Sequence, residues 1–103
     1  MVGQAWRWKR AGLAQFQVVT CEVTAHRGRF GVEVDIVEPV TRLPAFVDFV
    51  LLTEAGTEHP TPSDFPAVGS VIEAVTIDFM PDGELRLSAR RSAIAKGRTP
   101  RHA

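Results

Sequence analysis

The side chains best suited to chemistry in this sequence are aromatic rings and arginines. Phenylalanine rings can stack on nucleobases, and guanidinium groups can bind phosphate. Two phenylalanines lie in strongly β-like stretches, and five arginines lie in or beside such stretches. The candidate binding residues are Phe30, Phe46, Arg27, Arg29, Arg86, Arg90 and Arg91. Their chemistry predicts a surface suited to a single-stranded nucleic acid.

Residues suited to catalysis or metal binding are not grouped in the same way. Asp35 with Asp48 is one conceivable carboxylate pair, and Glu33 with Glu84 is another. Neither pair has a nucleophile, a phosphate-binding loop or a metal-spaced histidine beside it. Cys21 is the single cysteine, and its apolar run predicts a buried, unreactive thiol. We therefore expect no enzyme activity, no metal and no cofactor.

An aromatic and basic segment near the N-terminus, Trp6-Arg7-Trp8-Lys9-Arg10, has two interpretations. It could bind the bases of a nucleic acid. Alternatively, its tryptophans could cover an open end of the hydrophobic core. We favour the second interpretation, because large aromatic side chains mostly serve burial.

Charge is distributed unevenly along a chain whose formal net charge is zero. Residues 1–30 carry a net charge of +4, residues 31–85 carry −10, and residues 86–103 carry +6. An asymmetry of this kind bears on binding partners rather than on the fold.

Length and composition favour a single cytoplasmic domain. A chain of 103 residues with 45% hydrophobic residues suits one domain with a modest core. No apolar run approaches the ~20 residues of a membrane span, so we expect no membrane partner. The first ten residues lack the apolar segment of a signal peptide, and a lone cysteine cannot form an intrachain disulfide.

Hydrophobic alternation predicts five β-strands, at residues 16–24, 30–37, 45–52, 68–77 and 84–90. The clearest stretch is 30–36, where every second residue is apolar and Gly31 indicates a bulge or a close approach. Gly28 and the pair Asp82-Gly83 mark tight turns. The expected core residues are Phe30, Val32, Val34, Val47, Phe49, Val75, Ile77, Leu85 and Leu87.

The remaining segments divide the chain into three parts. Residues 1–17 form an N-terminal extension with a possible helix over 4–15, residues 18–91 form the barrel domain, and residues 92–103 form a basic, flexible tail. A connection spans 38–44, and a long acidic loop covers 53–66 with one helical turn near 61–64. Five strands with these connections match an all-β, five-stranded OB-fold, and periodicity alone does not separate it from an SH3-like barrel.

Five short motifs in order resemble the S1-motif RNA-binding domain, an OB-fold module also repeated in ribosomal protein S1. The family reads G-x-V, F-G-x-F-V, G-[LF]-V-[HD]-I-S, V-G-x-x-V and G-[RK]-[IL]-x-L-S. The matching stretches are CEV at 21–23, FGVEV at 30–34, AFVDFV at 45–50, VGSVI at 68–72 and GELRLS at 83–88. The resemblance covers about residues 18–91 and implies an S1-like OB-fold that binds RNA.

The resemblance also indicates which residues would form the nucleic-acid face. Phe30 matches the first strand 2 aromatic of the family. Glu33 stands at the second aromatic position, Asp48 at the strand 3 histidine, and Glu84 at the basic position after the turn glycine. Three carboxylates on this face would repel phosphate.

Two functions follow from these residues. The leading prediction is a non-catalytic module that binds RNA or another single-stranded nucleic acid, with Arg27, Arg29, Arg86 and Arg90 converging near the first and last strands. The alternative is a protein-interaction module on the same barrel, whose partner contacts Glu33, Asp48 and Glu84.

Overall fold

The computed structural model describes residues 5–41 and 43–98. The strands are β1 (Val18–His26), β2 (Gly31–Glu38), β3 (Ala45–Asp48), β4 (Val71–Phe79) and β5 (Leu85–Ser88). The helices are α1 (Ala5–Ala11) and α2 (Arg91–Arg98), with short 3-10 helices at Phe49–Leu51 and Pro62–Asp64. The predicted helix start at residue 4, Arg42 of the connection and residues 99–103 of the tail lie outside the described residues.

The five strands close into a barrel in the order β1-β2-β3-β5-β4, with β4 paired to β1. Strand β5 runs parallel to β3 and antiparallel to β4, and the remaining pairs are antiparallel. Closure gives each of the five strands two hydrogen-bonded neighbours over part of its length, as in an OB-fold. The predicted five-stranded OB-fold barrel with a short N-terminal helix is confirmed.

Hydrophobic alternation predicts part of the core correctly. Six of the nine expected core residues are buried, namely Val32, Val34, Val47, Val75, Leu85 and Leu87. Phe49 is half-buried because β3 ends at Asp48 and the chain turns into a 3-10 helix. Ile77 is also half-buried, at a register shift in the pairing of β4 with β5. An irregular register changes which residues face the core.

Phe30 is the one predicted core residue that lies on the surface. Its side chain is 57% exposed, so its assignment to the core was wrong. Strand β2 begins only at Gly31, which places Phe30 in the preceding turn, outside the alternating pattern. The same position keeps its ring available for binding.

Cys21 lies in the middle of β1 and is fully buried, as its apolar surroundings predict. Burial raises the pKa of its thiol to about 12, because the charged thiolate loses its solvation inside the barrel. Its lack of reactivity toward thiol reagents stays a prediction.

The segment from residue 91 forms helix α2, where the sequence predicts a flexible tail. Two cap-like hydrogen bonds begin the helix: the Glu54 carboxylate accepts from the Ser92 amide, and the Ser88 hydroxyl accepts from the Arg90 amide. Near its other end, Gly97 lies so close to the barrel that a Cβ there would be 2.9 Å from Val18. Tertiary contacts of this kind stabilise a helix that local propensity does not indicate.

Candidate nucleic-acid interface

A row of outward-facing side chains crosses four strands of the barrel. The strand register pairs Glu33 with Phe46, Phe46 with Arg86, and Arg86 with Asp78. Glu33, Phe46 and Arg86 each lie between two buried residues, and Asp78 lies between half-buried Ile77 and buried Phe79, so the four side chains share one outer face. The row combines one aromatic ring with charges of both signs.

Arg27 covers the aromatic ring of this row. Its guanidinium lies 4.1 Å from the centroid of the Phe46 ring. It donates from Nη1 and Nη2 to the two carboxylate oxygens of Glu84, at 3.1 and 2.6 Å, and from Nε to Glu33 at 3.1 Å. These hydrogen bonds, that to Glu84 above all, raise the pKa of Arg27 above its usual value. We call Arg27, Glu33, Phe46 and Glu84 the Arg27 cluster.

The turn between β1 and β2 carries the most accessible candidate ring. Gly28 has φ of 52°, a left-handed conformation that permits the tight turn. The backbone of Phe30 is held at both ends: its amide donates to the Arg27 carbonyl, and its carbonyl accepts from the Phe49 amide, both at 2.9 Å. The Arg29 guanidinium lies 5.8 Å from the centroid of the exposed Phe30 ring. We call residues 28–30 the turn tip.

Gly31 joins the turn tip to the Arg27 cluster. It has φ of 145°, and a Cβ built on it would lie 2.1 Å from the Val47 carbonyl oxygen and 2.8 Å from the Phe46 ring. No side chain fits in that space, which explains the close approach that a glycine inside a strand indicates. The residue keeps β2 close against β3, directly beneath the aromatic surface.

The other predicted arginines are also engaged within the protein, with one exception. Arg86 donates two hydrogen bonds to the Asp78 carboxylate, at 2.9 and 2.8 Å. Arg90 donates to the carbonyls of Val50 and Thr53, both at 2.8 Å, and so holds the end of a 3-10 helix. Arg91 is exposed at the start of α2. Among the predicted arginines, Arg27 lies over the Phe46 ring and Arg86 is paired with Phe46 across β5 and β3.

The three carboxylates expected to repel phosphate all have partners inside the chain. Glu33 and Glu84 bind Arg27. The Asp48 carboxylate accepts from the Val50 amide at 3.0 Å and caps the first 3-10 helix. Sequence reasoning identified the acidic positions and missed their partners; the Arg27–Glu84 pair joins residues 57 apart in the chain, which no local pattern indicates.

The described residues contain no group of three or more histidine, cysteine, aspartate or glutamate side chains that could hold a metal ion. None of the described helices has the length and apolar character that crossing a membrane requires.

Comparison with known proteins identifies the fold rather than a family. No family model and no curated protein matches this chain. A chain in the complex of a/eIF2alpha, aDim2p and rRNA from Pyrococcus horikoshii matches with a TM-score of 0.64 and 22% identity, over 81% of this chain and 49% of that one. GSP13 from Bacillus subtilis matches with a TM-score of 0.60 and 18% identity, over 86% of this chain and 62% of that one.

A third match is a multidomain protein with nucleic acid binding domains from Streptococcus pneumoniae. Its TM-score is 0.54 and its identity 21%, over 86% of this chain and 24% of that one. This chain thus spans less than two thirds of each of these structures. At identities below 25%, the likeness establishes a shared fold, and the S1-type OB-fold expected from the sequence is confirmed.

Proposed function

We propose that this chain is a non-catalytic module that binds single-stranded nucleic acid, RNA foremost, through the turn tip and the adjoining row of Glu33, Phe46, Arg86 and Asp78, which we call the aromatic row after Phe46. The observation that carries the proposal is the exposed, backbone-anchored ring of Phe30 with a guanidinium above it. Because the backbone of Phe30 is already held, little backbone freedom is lost when a base stacks on its ring. Base stacking on exposed aromatic residues is the common mode of single-strand binding.

We assign the phosphate contacts according to whether each arginine must leave a carboxylate partner in order to bind phosphate. Arg29 and Arg91 are exposed, and neither is within ion-pair distance of a carboxylate among the described residues. They are therefore the first phosphate contacts. Arg27 and Arg86 already bind carboxylates, so a phosphate must compete with those partners. Binding is accordingly weak, largely independent of sequence, and steeply dependent on salt.

The solved structures of the same fold support the choice of ligand. One belongs to a complex that contains rRNA, and another is described as having nucleic acid binding domains. The alternative, a protein-interaction module, requires that Glu33, Asp48 and Glu84 be available to a partner. Each of these carboxylates accepts a hydrogen bond within the chain. A protein partner of this face would have to replace those bonds.

The test is a fluorescence anisotropy titration with a labelled uridine oligomer of about 12 nucleotides, a length that an OB-fold covers. Phe30→Ala should weaken binding about 5-fold or more at ~50 mM salt, because stacking contributes about 1–3 kcal/mol per base. Phe16→Ala is the matched control, since Phe16 is 43% exposed and contacts β4 through its backbone. No binding at this salt concentration, or equal loss in the two variants, would overturn the proposal.

A further inference from the structure

A groove lies at one end of the barrel, between α1, the turn from β4 to β5 and the connection after β2. Its volume is about 460 Å³. Its walls include Trp6 and Arg10 of α1, Leu43 of the connection, Phe79 at the end of β4, and Asp82 and Gly83 of the turn. Concave, mainly apolar sites with a few polar groups are typical of small-ligand binding.

The two tryptophans of α1 have different environments. Trp8 packs against the core, with its ring centroid 4.7 Å from that of Phe79. It covers the end of the barrel, as the sequence predicts for both tryptophans. Trp6 is 51% exposed and lines the groove instead. Burial therefore explains the role of Trp8, whereas the indole of Trp6 is exposed and could contact a ligand.

Arg7 holds this end of the groove together. Its Nη1 donates to the Met80 carbonyl at 3.0 Å, which ties α1 to the turn after β4. Its guanidinium lies 5.3 Å from the Trp6 ring centroid and 5.9 Å from that of Phe79. The indole of Trp6 is thus positioned by a cation that is itself anchored. Arg10, one turn further along α1, is exposed and has no carboxylate within ion-pair distance among the described residues.

We propose that this groove is a nucleotide subsite, with a base stacked on Trp6 and a phosphate bound by Arg10. A nucleotide carries a flat base and an anionic phosphate. These match the exposed indole of Trp6 and the guanidinium of Arg10, which both line the groove. The inference rests on the proposed function for the class of its ligand. A single strand that crosses the aromatic row would supply the nucleotide.

Chain connectivity places the groove next to the proposed interface. Gly83 lines the groove, and the next residue, Glu84, binds Arg27 above Phe46. On the other side, Leu43 lines the groove two residues before β3 begins at Ala45. A strand that crosses the aromatic row therefore passes beside the groove, and binding at both sites would raise affinity through effective concentration.

The test uses the full chain labelled with ¹⁵N and adenosine 5′-monophosphate as the probe, with adenosine in a parallel titration. We expect the nucleotide at millimolar concentration to shift the Trp6 indole resonance and the amides of Leu43 and Gly83. Trp6→Ala should abolish saturable binding of both probes. Arg10→Gln should weaken the nucleotide about 3-fold or more and leave adenosine unchanged, because only the nucleotide carries a phosphate.

Phe30→Ala separates this inference from the proposed function. If the groove is a distinct subsite, this variant binds the mononucleotide as the parent does, whatever it does to the uridine oligomer. The inference is overturned if saturating nucleotide leaves the groove resonances unshifted, or if Phe30→Ala removes the shifts. It is equally overturned if Arg10→Gln weakens both probes alike. Should Trp6→Ala lose its dispersed spectrum, the Arg10→Gln comparison decides by itself.

Discussion

Arg27 and Arg29 occupy the same turn, two residues apart, and their surroundings differ completely. Arg27 lies against an aromatic ring and binds two carboxylates, one of which has only 14% of its side chain exposed. Arg29 lies over an exposed ring and is not within ion-pair distance of a carboxylate among the described residues. The Arg27 cluster already contains the anion and the flat ring that a nucleotide would contribute.

The difference indicates that the affinity an arginine adds for phosphate depends on the partner it must leave in order to bind. A guanidinium that leaves a bidentate carboxylate for a phosphate exchanges one charge-assisted contact for another, so its net gain is small. An exposed guanidinium gives up only water and counterions, and the released counterions favour binding at low salt. In the proposed function the turn tip is therefore the main binding element, and the Arg27 cluster beside it contributes mainly structural support.

The largest effect is expected from replacing Gly31, which joins the turn tip to the Arg27 cluster. Gly31→Ala should lower the free energy of unfolding by about 3 kcal/mol or more, because the new Cβ meets the Val47 carbonyl at 2.1 Å and φ is 145°. Urea denaturation measures the change. Gly56→Ala is the control: its φ is 84° and a Cβ there has no neighbour within 4 Å, so it should cost only about 1 kcal/mol.

Replacing Arg27 or Arg29 by alanine measures how much each side chain contributes to the free energy of unfolding. Arg27→Ala should lower the free energy of unfolding by about 1–2 kcal/mol, since it leaves the largely buried Glu84 carboxylate without its partner. Arg29→Ala should change it by less than about 0.5 kcal/mol. Arg27→Lys keeps the charge but loses the bidentate fork, and should lie between them. Equal effects of the two alanine variants would contradict the division of roles.

Neutralising the carboxylates that hold Arg27 should turn a structural arginine into a binding one. The double change Glu33→Gln with Glu84→Gln should strengthen binding of the uridine oligomer about 3- to 10-fold at low salt, because Arg27 gains freedom to bind phosphate. Glu22→Gln with Asp35→Asn makes the same charge change at exposed positions on β1 and β2 and controls for net charge. Weaker binding by the first variant would favour a protein partner for the acidic positions.

The smallest effect concerns Arg90 and Arg91, the two arginines just after β5, the second of which begins α2. Arg91→Gln should lower the slope of log affinity against log salt by about 1 unit, because an exposed arginine binds phosphate without losing a partner. Arg90→Gln should leave that slope unchanged and reduce stability, since Arg90 holds the Val50 and Thr53 carbonyls. Measuring the slope for each variant between ~50 and ~200 mM salt checks this contrast. A reduced slope in both variants would mean that Arg90 also contacts phosphate.

Most of the barrel could be predicted because its signal is local. Alternating apolar residues specify the core face of a strand, so Val32 and Val34 are buried as expected. Gly28 and Gly83 take left-handed conformations at the predicted turns, with φ of 52° and 92°. Such features depend on neighbours within a few residues, and a sequence displays them directly.

The candidate site was predicted as a set of residue types and not as an arrangement. Phe30 was expected both in the core and in the site, and only the start of β2 at Gly31 decides for the surface. Helix α2 was missed because its stability comes from Glu54 and from the close packing of Gly97 on the barrel. The start of β2 depends on the pairing of Gly31 with Asp48, and α2 depends on Glu54 and Val18, so both outcomes involve residues that are distant in sequence.

The sequence by itself therefore determined the strands, the turns and the presence of aromatic and arginine side chains suited to a single strand. Only the tertiary structure decided which of those side chains are available. Arg27 meets Glu84 across 57 positions of the chain, and that pairing follows from the parallel placement of β5 beside β3. Charge pairing is a property of distances in space, which a closed barrel sets and a local pattern does not contain.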